Sequence, residues 1–273
     1  NLGAVYNDTG DLEKAKEYLE LALEIQKEQL GPDHIDAATS YNNLGSVYRK
    51  TGDLEKAKEY HQLALQITKE QLGPKHASVA TSYNNLGLMY NDTGDLEKAK
   101  EYLELALEIQ KEQLGPDHID AATSYNNLGS VYRKTGDLEK AKEYHQLALQ
   151  ITKEQLGPSH VDVATSYNNL GTVYHDTGDF KKAKEYYQLA LEIKEEKLGP
   201  KHVSVAASYN NLGLVYRKTG DLEKAKEYCQ LALEIGEEQL GPRHARVASS
   251  YNSLGSVYHD TGDLEKAKEY HQL

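Results

Sequence analysis

The polar residues best placed to do chemistry recur at one spacing, 42 residues. Asn42, Asn84, Asn126, Asn168, Asn210 and Asn252 form one such series. Each carboxamide offers two N–H donors and a carbonyl acceptor, which suits the backbone of an extended peptide or a bridge between neighbouring repeats. Both uses can hold at once. Within one repeat, Asn42 shares a helical face with Thr39, Ser46 and Arg49, at steps of three and four residues. A second series, His34, His76, His118, His160, His202 and His244, follows each Gly-Pro pair. A metal site needs several ligands converging within about 2–2.5 Å of one ion. Histidines one repeat apart do not converge, so capping or packing at a helix start is expected of them, and the same holds for His61, His145 and His271. Catalysis needs a unique constellation of nucleophile, base and orienting group. Nearly every polar residue here exists in six or seven copies, with no G-x-S-x-G, Walker loop or H-E-x-x-H. No enzymatic activity, metal or cofactor is expected.

These series must be held by a regular scaffold, and its elements are legible in one repeat. Ala38, Tyr41, Leu44, Gly45 and Tyr48 define one face of a helix over 35–50. Gly52 suits a left-handed closing residue, and Asp53 suits the N-cap of a second helix running from Leu54 to about Leu72. The apolar face of that helix reads Leu54, Ala57, Tyr60, Ala64, Ile67 and Leu72, and Gly73-Pro74 ends it, with Pro favouring the first turn of the next helix. No segment alternates as a strand does, so the fold is expected to be all-α, a tandem array of helical hairpins. A glycine inside a helix costs about 1 kcal/mol relative to alanine. Its recurrence at Gly45, Gly87 and onward therefore points to close approach of the paired helix. Tyrosine supplies most of the aromatic core, since the chain has no Trp and one Phe, Phe180.

The L-G, Tyr, Gly, Ala, Ala spacing of Leu44-Gly45, Tyr48, Gly52, Ala57 and Ala64 resembles the tetratricopeptide repeat. The usual repeat has about 34 residues; here the excess lies after Ile67, in TKEQLGPKH. Long second helices ending in L-G-P-x-H, and the N-N-L of the first helix, resemble kinesin light chains and related proteins. The resemblance covers the whole chain and implies one right-handed α-solenoid over residues 1–273, about six and a half repeats. Such arrays grow lengthwise, each hairpin packing on its neighbours. The chain starts and stops within helical patterns, so an excerpt of a longer array is expected.

The resemblance also implies a concave groove lined by the face that carries the asparagine series. Side-chain preference would then come from Ser46, Leu88, Ser130, Thr172, Leu214 and Ser256, flanked by Arg49, Arg133 and Arg217. Such a surface suits a ligand with apolar residues near the leucines and acidic ones near the arginines. Relatives that read chaperone tails carry a Lys and an Asn one helical turn apart. The matching pair here is Asn42 and Ser46, which argues against that ligand.

The remaining readings concern partners and stacking. A formal net charge of −12, from 31 basic and 43 acidic residues, argues against nucleic acid. No apolar run reaches the roughly 18 residues of a membrane span. The lone Cys229 excludes an internal disulfide and fits a reducing, cytoplasmic setting, with packing as its expected role. Residues 1–84 and 85–168 differ at five positions only, so the duplicated unit is two hairpins. This shows at the first-helix ends, Asn7-Asp8, Arg49-Lys50, Asn91-Asp92, Arg133-Lys134, His175-Asp176, Arg217-Lys218 and His259-Asp260. A ladder of opposite charges fixing the stacking register is expected, with Asp92 between Arg49 or Lys50 and Arg133 or Lys134. The functional expectation is a scaffold binding a peptide or helical segment of a partner protein. A module that self-associates end to end, or a sensing array within a larger protein, are the alternatives.

Overall fold

The computed structural model describes residues 2–9 and 11–272, the side chains of Ala4, Asp8 and Thr9 excepted. The charge expected of Asp8 therefore lies outside the described side chains, as do the terminal Asn1 and Leu273. The described residues are all-helical and fall into two compact units. The first holds α1 (Leu2–Thr9), α2 (Leu12–Leu30), α3 (Ile35–Thr51), α4 (Leu54–Leu72), α5 (Ala77–Thr93), α6 (Leu96–Gln113) and α7 (Ile119–Lys134). The second holds α8 (Leu138–Leu156), α9 (Val161–Asp176), α10 (Phe180–Leu198), α11 (Val203–Lys218), α12 (Leu222–Leu240), α13 (Ala245–Asp260) and α14 (Leu264–Gln272).

Each helix starts and stops for local reasons. Asp53 accepts the Lys56 backbone N–H at 3.2 Å, closing one orphan donor at the start of α4. Gly52, at φ 89° and ψ 0°, sits in the left-handed region that only glycine adopts without cost. All six Gly-Pro histidines are N-caps. Nδ1 of His34, His76, His118, His160, His202 and His244 accepts the backbone N–H two residues on, at 3.1–3.2 Å. Because Nδ1 accepts, the ring proton of each cap resides on Nε2. Pro74 lies in the turn before the His76 cap and not in the first helical turn, so it shapes the loop and leaves helix initiation to the imidazole.

Within each unit the chain is a run of hairpins in which a first helix lies against its own second helix and the second helix of the preceding hairpin, as α3 does against α4 and α2. That enclosure explains why the first helices are buried on more sides than one apolar stripe. In α3, Ala37, Ser40 and Val47 are buried alongside Ala38, Tyr41, Leu44, Gly45 and Tyr48. On α4 the buried set is Ala57, His61, Ala64, Ile67 and Thr68; Leu54 and Tyr60 are half-buried, and Leu72, expected on the buried apolar face, is exposed at the helix end. Burying one leucine fully, as at Leu44, stabilises by about 1.5–3 kcal/mol. Tyr60 stacks on Tyr48 with ring centroids 5.4 Å apart. Tyr48 in turn donates its hydroxyl to Glu20 of the preceding hairpin at 2.8 Å, with the Lys16 and Lys56 ammoniums over its ring. One tyrosine thus ties three helices.

The helical glycine is where the packing is tightest. A Cβ on Gly87 would stand 2.6 Å from Leu103 Cγ and 3.2 Å from the Ala99 carbonyl oxygen, too close for either to remain in place. Gly87→Ala would raise intrinsic helix propensity by about 1 kcal/mol, yet overpacking is expected to win and destabilise by about 1–3 kcal/mol. Urea unfolding measures the balance; a stabilised variant would show that the approach is not limiting.

Candidate functional site

The first helices lie side by side within each unit, α3 against α5 and α5 against α7 in the first, α11 against α13 in the second. Their shared face carries the asparagine series, and the structure shows what those carboxamides do. Asn42 donates Nδ2–H to Ser82 Oγ on α5 at 3.0 Å, while its Oδ1 accepts from Asn85 Nδ2 at 3.3 Å. Oδ1 of Asn84 accepts from Asn127 at 2.9 Å, and that of Asn168 from Asn211 at 2.8 Å. In these three cases, Asn85, Asn127 and Asn211, the second asparagine of a pair donates to the first asparagine of the preceding repeat. Of the two readings open in the sequence, the bridge between hairpins is the one these bonds realise. Asn126 holds the corresponding position on α7, and Asn252 Oδ1 meets His271 Nδ1 at 3.2 Å.

Behind Asn42 lies His61, fully buried on α4. Its Nδ1 stands 3.2 Å from Asn42 Oδ1, and since an amide oxygen only accepts, the proton is on Nδ1. Nε2 is left buried without a partner. Burial, with a smaller contribution from the nearby Arg49 charge, pushes the imidazole down to about 4. In the equivalent slots stand Tyr187, whose hydroxyl donates to Thr172 Oγ1 at 3.1 Å, and Cys229. Cys229 is fully buried, and burial pushes its thiol up to about 12, as befits a packing residue.

The candidate selectivity positions divide in two. Ser46, Ser130, Thr172 and Ser256 return their hydroxyls to the carbonyl four residues earlier on their own helix, at 2.8–3.0 Å. Leu88 and Leu214 are half-buried and present apolar surface. The arginines are engaged in stacking. Arg49 pairs with Asp92 at 2.5 Å and Arg217 with Asp260 at 2.6 Å, each reaching the next first helix; Arg133 occupies the matching place on α7. Two of the neighbouring lysines, Lys50 and Lys134, reach back to an asparagine of the preceding first helix. Lys50 reaches Asn7 Oδ1 at 2.9 Å, and Lys134 the Asn91 carbonyl oxygen at 3.2 Å. One step further along the face, Thr39, Thr81 and Thr123 in the first unit and Thr165, Ala207 and Ser249 in the second are exposed. Sequence reasoning missed the serine row, Ser40, Ser82 and Ser124, whose burial makes it the polar tie between hairpins; its recurrence at the 42-residue period was the available signal.

Two expectations follow. Asp92→Lys sets a cation beside Arg49 and should lower the melting temperature, more at low salt than at high, with the lost pair contributing up to about 1 kcal/mol; a salt-independent melting temperature would refute the register role. For His61, the unfolded imidazole binds its proton below about pH 6.5 and the folded one below about 4. Stability is then complete above pH 6.5 and falls as the pH drops toward 4. His61→Cys, which copies Cys229, should shallow that acid slope in a pH series of urea melts; an unchanged slope would assign it to other groups.

The family profile described as tetratricopeptide repeat matches residues 1–70, 37–112, 78–154, 120–196 and 197–273. Among solved structures, the chain is similar to BtubC (BKLC) from P. vanneervenii, at 26% identity and a TM-score of 0.68, over 86% of this chain and 96% of that one. A putative kinesin light chain from Podosopora anserina with nearly identical TPR-like repeats aligns at 24% identity and a TM-score of 0.61, over 76% and 98% of the two chains. The apo form of RapI aligns at 20% identity and a TM-score of 0.74, over 99% and 92%. The two last share the fold. A search among curated proteins found no match.

Proposed function

The chain belongs to the tetratricopeptide repeat family, and on that premise we propose that it is a scaffold whose aligned first helices receive an extended peptide or helical segment of a partner protein. The observation that supports this reading is the exposed strip of short side chains, Thr39, Thr81 and Thr123 in one unit and Thr165, Ala207 and Ser249 in the other. Every other face of these helices is largely enclosed, so this strip is what an array of hairpins offers to a ligand. Short side chains let a peptide backbone come close, and the half-buried Leu88 and Leu214 beside the strip supply apolar contacts. The asparagines act in this reading as the rigid floor. With their amides bonded across hairpins they hold the strip in register, and ligand preference falls to the threonines and leucines. We take the whole of 1–273 as one array for this purpose.

Peptide display against the chain, with counter-selection against a Leu88→Glu/Leu214→Glu double variant, tests the reading. Peptides that bind the parent and lose at least about tenfold in affinity on the variant, whose fold is checked by circular dichroism, are the expected result. Enriched peptides indifferent to both leucines, or no enrichment, would overturn it.

A further inference from the structure

One inter-hairpin contact differs from its equivalents. Where a second helix meets the next first helix, a neutral side chain and a serine usually face each other: Ser40 donates to Gln26 Oε1 and Ser124 to Gln110 Oε1, both at 2.7 Å. Thr68 and Thr152 hold the glutamine position in two other repeats; on α10 it is Lys194 and on α12 Gly236. Lys194 is only 7% exposed, and its ammonium has one neutral partner, Ser208 Oγ, at 2.9 Å. Buried charges are ordinarily paired, and burial pushes this amine down to about 8. Gly236 removes the next side chain altogether, and Ser250 turns back to the Arg246 carbonyl oxygen at 3.4 Å. Between them lies a cleft of about 360 Å³, lined by Lys194, Gly236, Ser250, Asn210, Ser249 and Arg246 among others, with no acidic side chain in its wall. Arg246 is exposed and has no ion pair among the described residues.

Asn210 is also released here. Of the three residues that hold Asn42, His61 and Asn85 are replaced here by Cys229 and Ser253, and Ser253 bonds to its own helix through the Ser249 carbonyl at 3.0 Å; the third, Ser82, is kept as Ser250, whose hydroxyl turns back to Arg246. Asn210 Oδ1 is left buried without a partner. Its amide is bonded to neither neighbour, so it can turn to offer either end to the cleft. Ala207 and Ser249 open this cleft onto the exposed strip.

We propose that this cleft between α10, α11, α12 and α13 is a carboxylate-binding subsite, in which Lys194 and Arg246 receive an acidic group of a bound peptide and Asn210 an adjoining amide. The proposal deepens the peptide-scaffold reading and rests on it for the source of the carboxylate. Two cations without an acidic counterpart, in a chain of net charge −12, select an anion. Arginine's planar fork suits a carboxylate held in two-point contact. The small residues Gly236 and Ala207 leave room for the carboxylate of a glutamate or aspartate side chain or of a chain end.

Titrating the isotope-labelled chain with small probes tests the site without any partner. N-acetylglutamate amide presents a side-chain carboxylate, N-acetylalanine a terminal one, and N-acetylglutamine amide is the neutral control. Expected are saturable shifts of the Gly236 and Ser250 backbone amides with one or both acids and none with the control. Lys194→Gln, which copies Gln26 and Gln110, should weaken binding on the order of tenfold, and Gly236→Thr, which copies Thr68, should block it. The stronger of the two acids names the source. Absent shifts, shifts equal for acid and control, or affinity unchanged in both variants would overturn the subsite, even if displayed peptides bind elsewhere on the strip. Shifts that behave as expected while no peptide is enriched would keep the subsite and remove the peptide reading.

Discussion

A first helix such as α3, buried at Ala37, Ala38, Ser40, Tyr41, Leu44, Gly45, Val47 and Tyr48, cannot stand in water by itself. Eight of its 17 residues need a neighbour to cover them, and the rest of the structure follows from that requirement. The second helix must come close enough to cover it, which is why glycine holds the crossing point. The preceding second helix must cover its other side, so a hairpin is complete only beside another hairpin. Stability in such an array is a sum over neighbouring contacts, and the Thr39, Thr81 and Thr123 row is a strip that those contacts leave exposed on the first helices.

The polar bonds within the array are subordinate to the same geometry. Side-by-side first helices bring Asn42 within reach of Ser82 and Asn85, and each bond satisfies a group that packing has removed from water. His61 shows the limit of this economy of contacts, since one ring nitrogen is bonded and the other is enclosed without a donor. At the same slot leucine, tyrosine or cysteine also fits, because the requirement set by the facing glycine is shape rather than charge.

Much of this was legible in the sequence. The bounds of α3 and α4, the Gly52 stop and the Asp53 cap depend on local conformational preference, which a linear reading captures. The capping histidines were legible as well, because a cap is made within three residues of chain. What escaped depends on residues distant in sequence. Pairing of Arg49 and Arg217 with aspartates of the next helix removes them from ligand reading, although their type and face suggested it. The cleft beside Lys194 arises from departures at Lys194, Cys229, Gly236 and Ser253 on three different helices, each bland alone. Leu72 continues the helical stripe in sequence but is the last residue of α4 and is exposed.

The alternation of the first-helix ends gives the array a parity. Arg49 on α3 meets Asp92 on α5, and the basic pair Arg133-Lys134 follows on α7. Loss of one 42-residue repeat would bring Arg49 to the place opposite Arg133, cation against cation, whereas loss of two restores the match. Recombination among such similar repeats can thus lengthen or shorten the chain freely only in steps of 84 residues. The near-identity of residues 1–84 and 85–168 is the mark such even-numbered growth would leave.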